Sequence, residues 1–214
     1  MLNEKKSNSM TFNFCENFQF TTRIHMNNAL MDTISETKLL GCFISSDLTW
    51  HKNTESITKR AYQRMTMLHK LYDFDVPVKD LLHIYKLFIR SVAEQNCVVW
   101  HFSITPEEIS DIERIQKTAC KIILKQGYTD YKSSLAVLEL QSLEERRNKL
   151  CLTFAINSLK YDKSKDMFPR NNHIEKQLRN RETFQVQHAN TQRLSDSTIP
   201  QLQRALNNHF KLKH

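Results

Sequence analysis

The chain has 214 residues but only two glycines, Gly41 and Gly127, and four prolines. Tight turns draw on such residues because they reach positive φ without cost or preset φ near the turn value. A many-stranded β-sandwich or barrel reverses direction roughly every ten residues. A chain this poor in turn formers therefore builds long elements with few corners. Two glycines so far apart also exclude a glycine-rich phosphate loop, since neither G-x-G-x-x-G nor G-x-x-x-x-G-K can be written. Apolar residues make up 40% and charged residues 25% of the chain, enough to bury a core. The expected class is α+β, mainly α: short N-terminal strands followed by a helical bundle.

Three regions are expected: a strand-rich part over 1–49, a helical bundle over 50–161, and a polar linker with a short closing helix over 162–214. Met10–Phe14 and Phe18–Ile24 alternate in phenylalanine and threonine and read as half-buried strands. Lys38–Ser45 is a short apolar run with Gly41 inside, the pattern of a buried strand that something approaches closely. From Trp50 the period changes. Ile57, Ala61, Met65, Leu68 and Tyr72 draw one stripe on a helix from about residue 51 to 72. Asp75-Val76-Pro77 then breaks it, with Asp75 expected as the next N-cap.

The second helix is apolar around much of its girth (Leu81, Leu82, Ile84, Tyr85, Leu87, Phe88, Ile89, Val92), which predicts a central position, and Val98 to Phe102 prolong it. Thr105-Pro106-Glu107-Glu108 is a capping box that opens a helix to about Lys125, with Gly127 expected as the left-handed residue after its end. A short helix is expected over Lys132–Leu138. Ser142-Leu143-Glu144-Glu145 is a second capping box, opening a helix to about Tyr161 with Leu143, Leu150, Cys151, Phe154 and Tyr161 on one side. Residues 162–198 lack periodicity and read as a flexible linker; Ile199–Phe210 reads as a closing helix.

The net charge is +8, which favours polyanionic partners such as nucleic acid. The five cysteines are odd in number and contain no C-x-x-C pair, the usage of reduced thiols in an intracellular protein. The N-terminus lacks an apolar secretory stretch and no run approaches a membrane span, so no membrane role is expected. No H-E-x-x-H or finger spacing occurs. Cys97 and His101, four residues apart, could both face one ligand, but no third partner is legible, so no metal site is expected. Asp73 and Asp75 read as a helix end and a cap, and Glu107-Glu108 and Glu144-Glu145 read as caps, leaving no carboxylate cradle for metal ions. The basic faces say more. At 100° per residue, Arg114, Lys117, Lys121 and Lys125 share an arc of roughly 80°, opposite Ile109, Ile112, Ile115, Ile122 and Ile123. On the first helix Lys52, Lys59 and Lys70 lie opposite the apolar stripe, with Arg60 and Arg64 on its flank. Such rows either solvate the outside of a bundle or track a phosphate backbone.

Several motifs, in order, resemble the region that follows the catalytic palm in reverse transcriptases of non-LTR retrotransposons of the LINE and jockey type. Leu2-Asn3-Glu4-Lys5-Lys6-Ser7 resembles that family's L-N-x-x-K-T segment. Lys38-Leu39-Leu40-Gly41-Cys42-Phe43-Ile44 followed by Asp47-Leu48-Thr49-Trp50 is similar to its K-x-L-G-V-x-I-D-x-x-L-T-W motif. Ile84–Ser91 through Val99-Trp100 looks like its Y-K-S-x-I-R … V-W helix, and Ile112–Ala119 resembles its I-E-x-I-Q-R-R-A segment. Ile199–Asn207 resembles its I-P-Y-x-Q-R-L-L-N ending. The resemblance implies that Leu40 and Gly41 form a primer grip, that Lys6 matches a motif lysine acting on pyrophosphate, and that the helices from Trp50 onward hold a template–primer duplex. The parent enzyme would use Mg. The family's Ala-Asp-Asp carboxylates would lie upstream of Lys6, so the resemblance implies a catalytically incomplete fragment: no catalytic residue of its own, no cofactor, and at most nonspecific RNA or DNA duplex binding. The alternative is a helical protein-interaction module with no nucleic-acid role. The segment around Asp47–Leu71 is also similar to the N-terminal extension of alkB-type tRNA-modifying dioxygenases, but the iron-binding H-x-D … H set of those enzymes is missing from this sequence.

Overall fold

The computed structural model describes residues 7–14, 23–26, 29–171 and 183–211, and the chain divides into two compact units, Met1–Ser56 and Ile57–His214. In the first unit, β1 (His25–Met26) pairs antiparallel with β2 (Ala29–Leu30), and β3 (Glu36–Leu39) with β4 (Cys42–Ser45). Ser9 forms a parallel bridge with Thr33. Met10–Phe14 carries no strand, and of the expected strand Phe18–Ile24 residues 18–22 lie outside the described residues while Ile24 only leads into β1.

The apolar run Lys38–Ser45 is a hairpin rather than one buried strand. Leu39 lies opposite Cys42, so Leu40 and Gly41 form a two-residue turn, with φ 49° and 86°. Positive φ at both central positions is the type I′ signature, whose twist matches that of the flanking strands. Gly41 reaches this region freely; Leu40 does so against the clash of its Cβ. Cys42 and Ser45 are buried, whereas Leu40 at the tip is 87% exposed. Asn53, in the first turns of α1 (His51–Asp73), accepts a hydrogen bond from the Phe43 amide at 3.2 Å and ties β4 to that helix.

The second unit is helical. α1 buries Ile57, Ala61, Met65 and Leu68 of the expected stripe, while Tyr72 at its end is half-buried. It ends in a turn where Asp75 takes φ 53°; α2 (Val78–Ile84) then starts after Pro77 with no side-chain cap, so Asp75 is a left-handed turn residue and not the expected N-cap. The expected second helix is broken into pieces: α2, a π-helical stretch over Tyr85–Ile89, α3 (Arg90–Glu94), α4 (Cys97–Trp100) and a 3₁₀ turn over His101–Ser103. The break falls at Asn96, which sits in the left-handed region at φ 54°, a conformation asparagine tolerates. Trp100, fully buried, donates its indole N–H to the Gln95 carbonyl freed by that break, at 3.1 Å. From α2 to α3 the buried residues are Leu81, Tyr85, Ile89, Val92 and Ala93, while Leu87 and Phe88 are exposed, so this stretch presents one buried stripe rather than a buried girth.

α5 (Pro106–Leu124) starts at the expected capping box, with Thr105 Oγ1 accepting from the Glu108 amide and Glu108 accepting from the Thr105 amide. Its end differs from expectation. Lys125, φ 53°, is the positive-φ residue, and Gly127 lies in a following 3₁₀ turn without left-handed φ. α6 (Tyr131–Val137) is capped by Asp130, and α7 (Leu143–Ser158) by the Ser142–Glu145 box. α7 buries Leu143, Arg147, Cys151, Ala155 and Ser158; Phe154 and Tyr161, expected inside, are exposed. Spacing explains this, since the five residues recur at about one turn each and only Leu143 among them is bulky and aliphatic.

The expected linker carries structure at both ends. α8 (Asp162–Lys165) and α9 (Gln192–Ser195) are short helices, and Phe168 and Phe184 are buried beside an antiparallel bridge between Arg170 and Phe184. α10 (Thr198–Lys211) is the expected closing helix and packs on α7. Its buried polar side chains hold the preceding segment. Asn207 accepts from the Phe184 amide at 2.8 Å and donates to the Phe184 carbonyl at 2.9 Å. Gln203 accepts from the Gln187 amide at 2.7 Å and donates to the Met167 carbonyl at 2.8 Å. Among the described residues no helix is long and apolar enough to cross a membrane.

Candidate nucleic-acid interface

α5 is the helix whose outer face is set most firmly. Its inner face buries Ile112, Ile115, Ala119, Ile122 and Ile123, which leaves Arg114, Lys117 and Lys121 exposed together on the opposite side. These three span about 10 Å along the axis at 1.5 Å per residue, or roughly three base-pair steps. Tyrosines lie beneath the lysines: Lys117 Nζ is 5.3 Å from the Tyr131 ring centroid and Lys121 Nζ 5.5 Å from that of Tyr128. A ring face attracts a cation while leaving its outer hemisphere to solvent, so the ammonium groups are positioned but not neutralised. Arg114 contacts Asp111 at 2.9 Å, an exposed pair one turn apart that contributes little.

Lys125, expected as the fourth member, leaves the row. The backbone turns at this residue, and its Nζ sits 3.9 Å over the Tyr72 ring and 3.3 Å from Asp75. On α1, Lys59 and Lys70 are exposed on the outer side. Arg64 is stacked at 4.4 Å on the Phe88 ring and donates to the Phe88 carbonyl at 2.6 Å; Arg60 donates to Gln95 at 2.9 Å. These two arginines fasten α1 to the neighbouring helices. Lys52 belongs to the other unit, where it pairs with Glu36 and lies 5.7 Å over the Phe43 ring. Leu40 and Gly41 form the exposed hairpin tip of that unit, and Lys6 lies outside the described residues.

The residues that carry the sequence motifs are largely scaffold. Gln116, fully buried, accepts from the Tyr85 hydroxyl at 2.6 Å and donates to the Tyr131 hydroxyl and to the Gln141 carbonyl, both at 2.9 Å. Tyr131 in turn donates to Glu113. The Glu113 carboxylate accepts from the amides of Leu143 at 3.1 Å and Glu144 at 3.3 Å, so α5 caps the start of α7 where the helix dipole favours an anion. Burial holds both phenols in their protonated form: Tyr85 is pushed well above the ordinary phenol range by desolvation, and Tyr131 by desolvation and then by Glu113. Glu94 lies between Arg90 and Arg146 and joins α3 to α7. The sequence signal for this network was the spacing Glu113-x-x-Gln116 on the flank of an isoleucine stripe, which periodicity alone reads as ordinary polar surface.

Among the described residues no three His, Cys, Asp or Glu side chains group to hold a metal ion. His101 Nε2 bonds Asn148 Oδ1 at 3.0 Å, and its Nδ1 accepts from Arg147 Nε at 3.2 Å, which selects the Nε2–H tautomer. Burial first, and then the Arg147 charge, lower its pKa to about 4, with the Asn148 bond opposing. A cavity of about 420 Å³ is lined by Leu159, Phe168, Pro169, Arg170 and Phe184, an apolar wall with one cation. No protein-family model, curated protein or solved structure matches this chain.

Proposed function

We propose that the chain binds the sugar–phosphate backbone of nucleic acid, without base specificity, through the outer face of α5, in the manner of the reverse-transcriptase thumb region its motifs resemble. The observation that supports it is the row Arg114, Lys117 and Lys121, exposed together on a helix whose opposite face is locked in the core. Three phosphate contacts on a duplex give a slope of about −3 in log K against log salt. Fluorescence anisotropy with a labelled RNA–DNA duplex between 50 and 200 mM salt measures it. Changing Arg114, Lys117 and Lys121 to glutamate should abolish binding, whereas Lys125→Glu should leave the slope unchanged. Salt-independent binding, or none at low salt, refutes the proposal. A protein partner is the second reading, supported by the exposed Phe74 and Leu87. It predicts a complex that survives both high salt and the triple substitution.

A further inference from the structure

Two tyrosines lie against the basic row of α5, and they are held differently. Tyr131, against Lys117, belongs to the scaffold: its hydroxyl donates to Glu113 and accepts from Gln116. Tyr128, against Lys121, stands in extended backbone in the short connection between the 3₁₀ turn over Lys125–Gly127 and α6. Its amide donates to the Lys125 carbonyl at 3.2 Å, but its hydroxyl has no hydrogen-bond partner among the described residues. A tyrosine buried for packing finds a partner for its hydroxyl; Tyr128, half-buried, keeps its hydroxyl and part of its ring in solvent. Open space adjoins it. Gln126, Gly127, Thr129 and Asp130 are exposed, and a Cβ at Gly127 meets nothing within 4 Å. The carboxylate of Asp130 is turned to the Ser133 amide and hydroxyl, at 3.0 and 2.5 Å.

We propose that Tyr128 is a base-stacking residue and that the ligand of this face is single-stranded nucleic acid. The inference rests on the reading of α5 as a phosphate-binding row and names the kind of strand that the row takes. A phosphate draws the Lys121 ammonium off the ring, and the face it leaves receives a base. One nucleotide then uses both groups, the cation through its phosphate and the ring through its base. In a duplex the base faces are already stacked on one another, so an unpaired base is the one that reaches Tyr128. Every base presents a π-face, so the contact adds affinity with little sequence preference.

The neighbouring charges leave this exchange open. Lys117 and Lys121 have no ion-pair partner among the described residues, whereas Arg114 is paired with Asp111. The Lys121 ammonium lies 5.5 Å from the Tyr128 ring centroid, within cation–π range, and at an exposed site that attraction is weak enough for a phosphate to displace it. Lys125, nearest in sequence, does not compete for the ring, because its ammonium is held over Tyr72 and beside Asp75. Tyr131 cannot take the same part: its hydroxyl is tied to Glu113 and Gln116, so its ring stays in the scaffold.

The test is fluorescence anisotropy on the full chain with two labelled strands of about ten nucleotides, one of thymidylates and one of equal length whose sugars carry no bases. The wild-type protein should bind the thymidylate strand on the order of tenfold more tightly than the abasic one. Tyr128→Leu keeps an apolar group without a π-face. It should remove that preference while binding the abasic strand with wild-type affinity and salt slope, which also reports an intact fold. Tyr128→Phe should bind both strands as the wild type does, because the hydroxyl is not used. Lys121→Gln should weaken both strands alike. Equal wild-type affinity for the two strands, or a Tyr128→Leu variant that keeps the preference, overturns the proposal and leaves the α5 row standing. Failure of both strands to bind at low salt overturns the row and the proposal together.

Discussion

Replacing Asn207 with alanine removes the one side chain that satisfies both backbone groups of Phe184. The two hydrogen bonds are 2.8 and 2.9 Å long, Asn207 is 2% exposed and Phe184 1%, so water does not take over either bond while the fold is intact. A buried backbone group left without a partner costs about 1–3 kcal/mol. Two such groups set a loss of about 2–6 kcal/mol, the lower end applying where the Phe184 segment lifts far enough to reach solvent. At a urea m-value of about 2 kcal/mol/M the unfolding midpoint should fall by about 1–3 M, read by far-ultraviolet circular dichroism. Asn207→Asp separates the donor from the acceptor. An ionised carboxylate still accepts from the Phe184 amide but faces the Phe184 carbonyl with a second oxygen; protonated, it donates there as asparagine does. The aspartate pKa is thus raised in the folded state above its unfolded value near 3.9, so the folded form binds the extra proton and the deficit against wild type grows as pH rises from about 4 to 7. A loss under about 0.5 kcal/mol for the alanine variant, or an aspartate deficit that is the same at pH 4 and pH 7, refutes the assignment.

Two further outcomes are expected. The His101 pKa is lowered from 6.5 to about 4, so the unfolded chain takes up a proton that the folded one refuses; stability should fall as pH drops through that window, by about 3 kcal/mol, and His101→Gln should flatten the pH dependence of the urea midpoint there. A Cβ at Gly127 meets nothing within 4 Å and its φ is not left-handed, so Gly127→Ala should raise stability by about 0.4–1 kcal/mol in the same titration, whereas a left-handed Gly127 would make it destabilising.

What the sequence disclosed follows from how local each signal is. The capping boxes at Thr105 and Ser142 are made within four residues, and both form as read. The α1 stripe repeats often enough to fix its face. α5 ends about where the sequence places it, but the left-handed residue after it is Lys125 rather than Gly127 because a tertiary contact decides it: the Lys125 ammonium is held over Tyr72 and beside Asp75. The 162–198 region looks like a linker in sequence because the burial of its described residues rests on two isolated aromatics, Phe168 and Phe184, clasped by amide side chains of α10. Hydrophobic periodicity does not register a polar residue that binds backbone. The same blindness hid Arg147, which stands in the middle of the buried face of α7. For the basic row, three positions of four were legible, because a helix face is set by spacing and the fourth lies past the helix end.

The cap that Glu113 places on α7 has a kinetic side. The amides of Leu143 and Glu144 find their carboxylate on α5, and Gln116 on the same helix grips the Gln141 carbonyl just before the Ser142 box. The first turn of α7 is therefore completed by a helix formed some thirty residues earlier, about the separation at which loop closure is still quick. Substitutions at Glu113 should slow refolding about as much as they weaken the native state, while substitutions in the α10 clasp should act chiefly on the rate of unfolding.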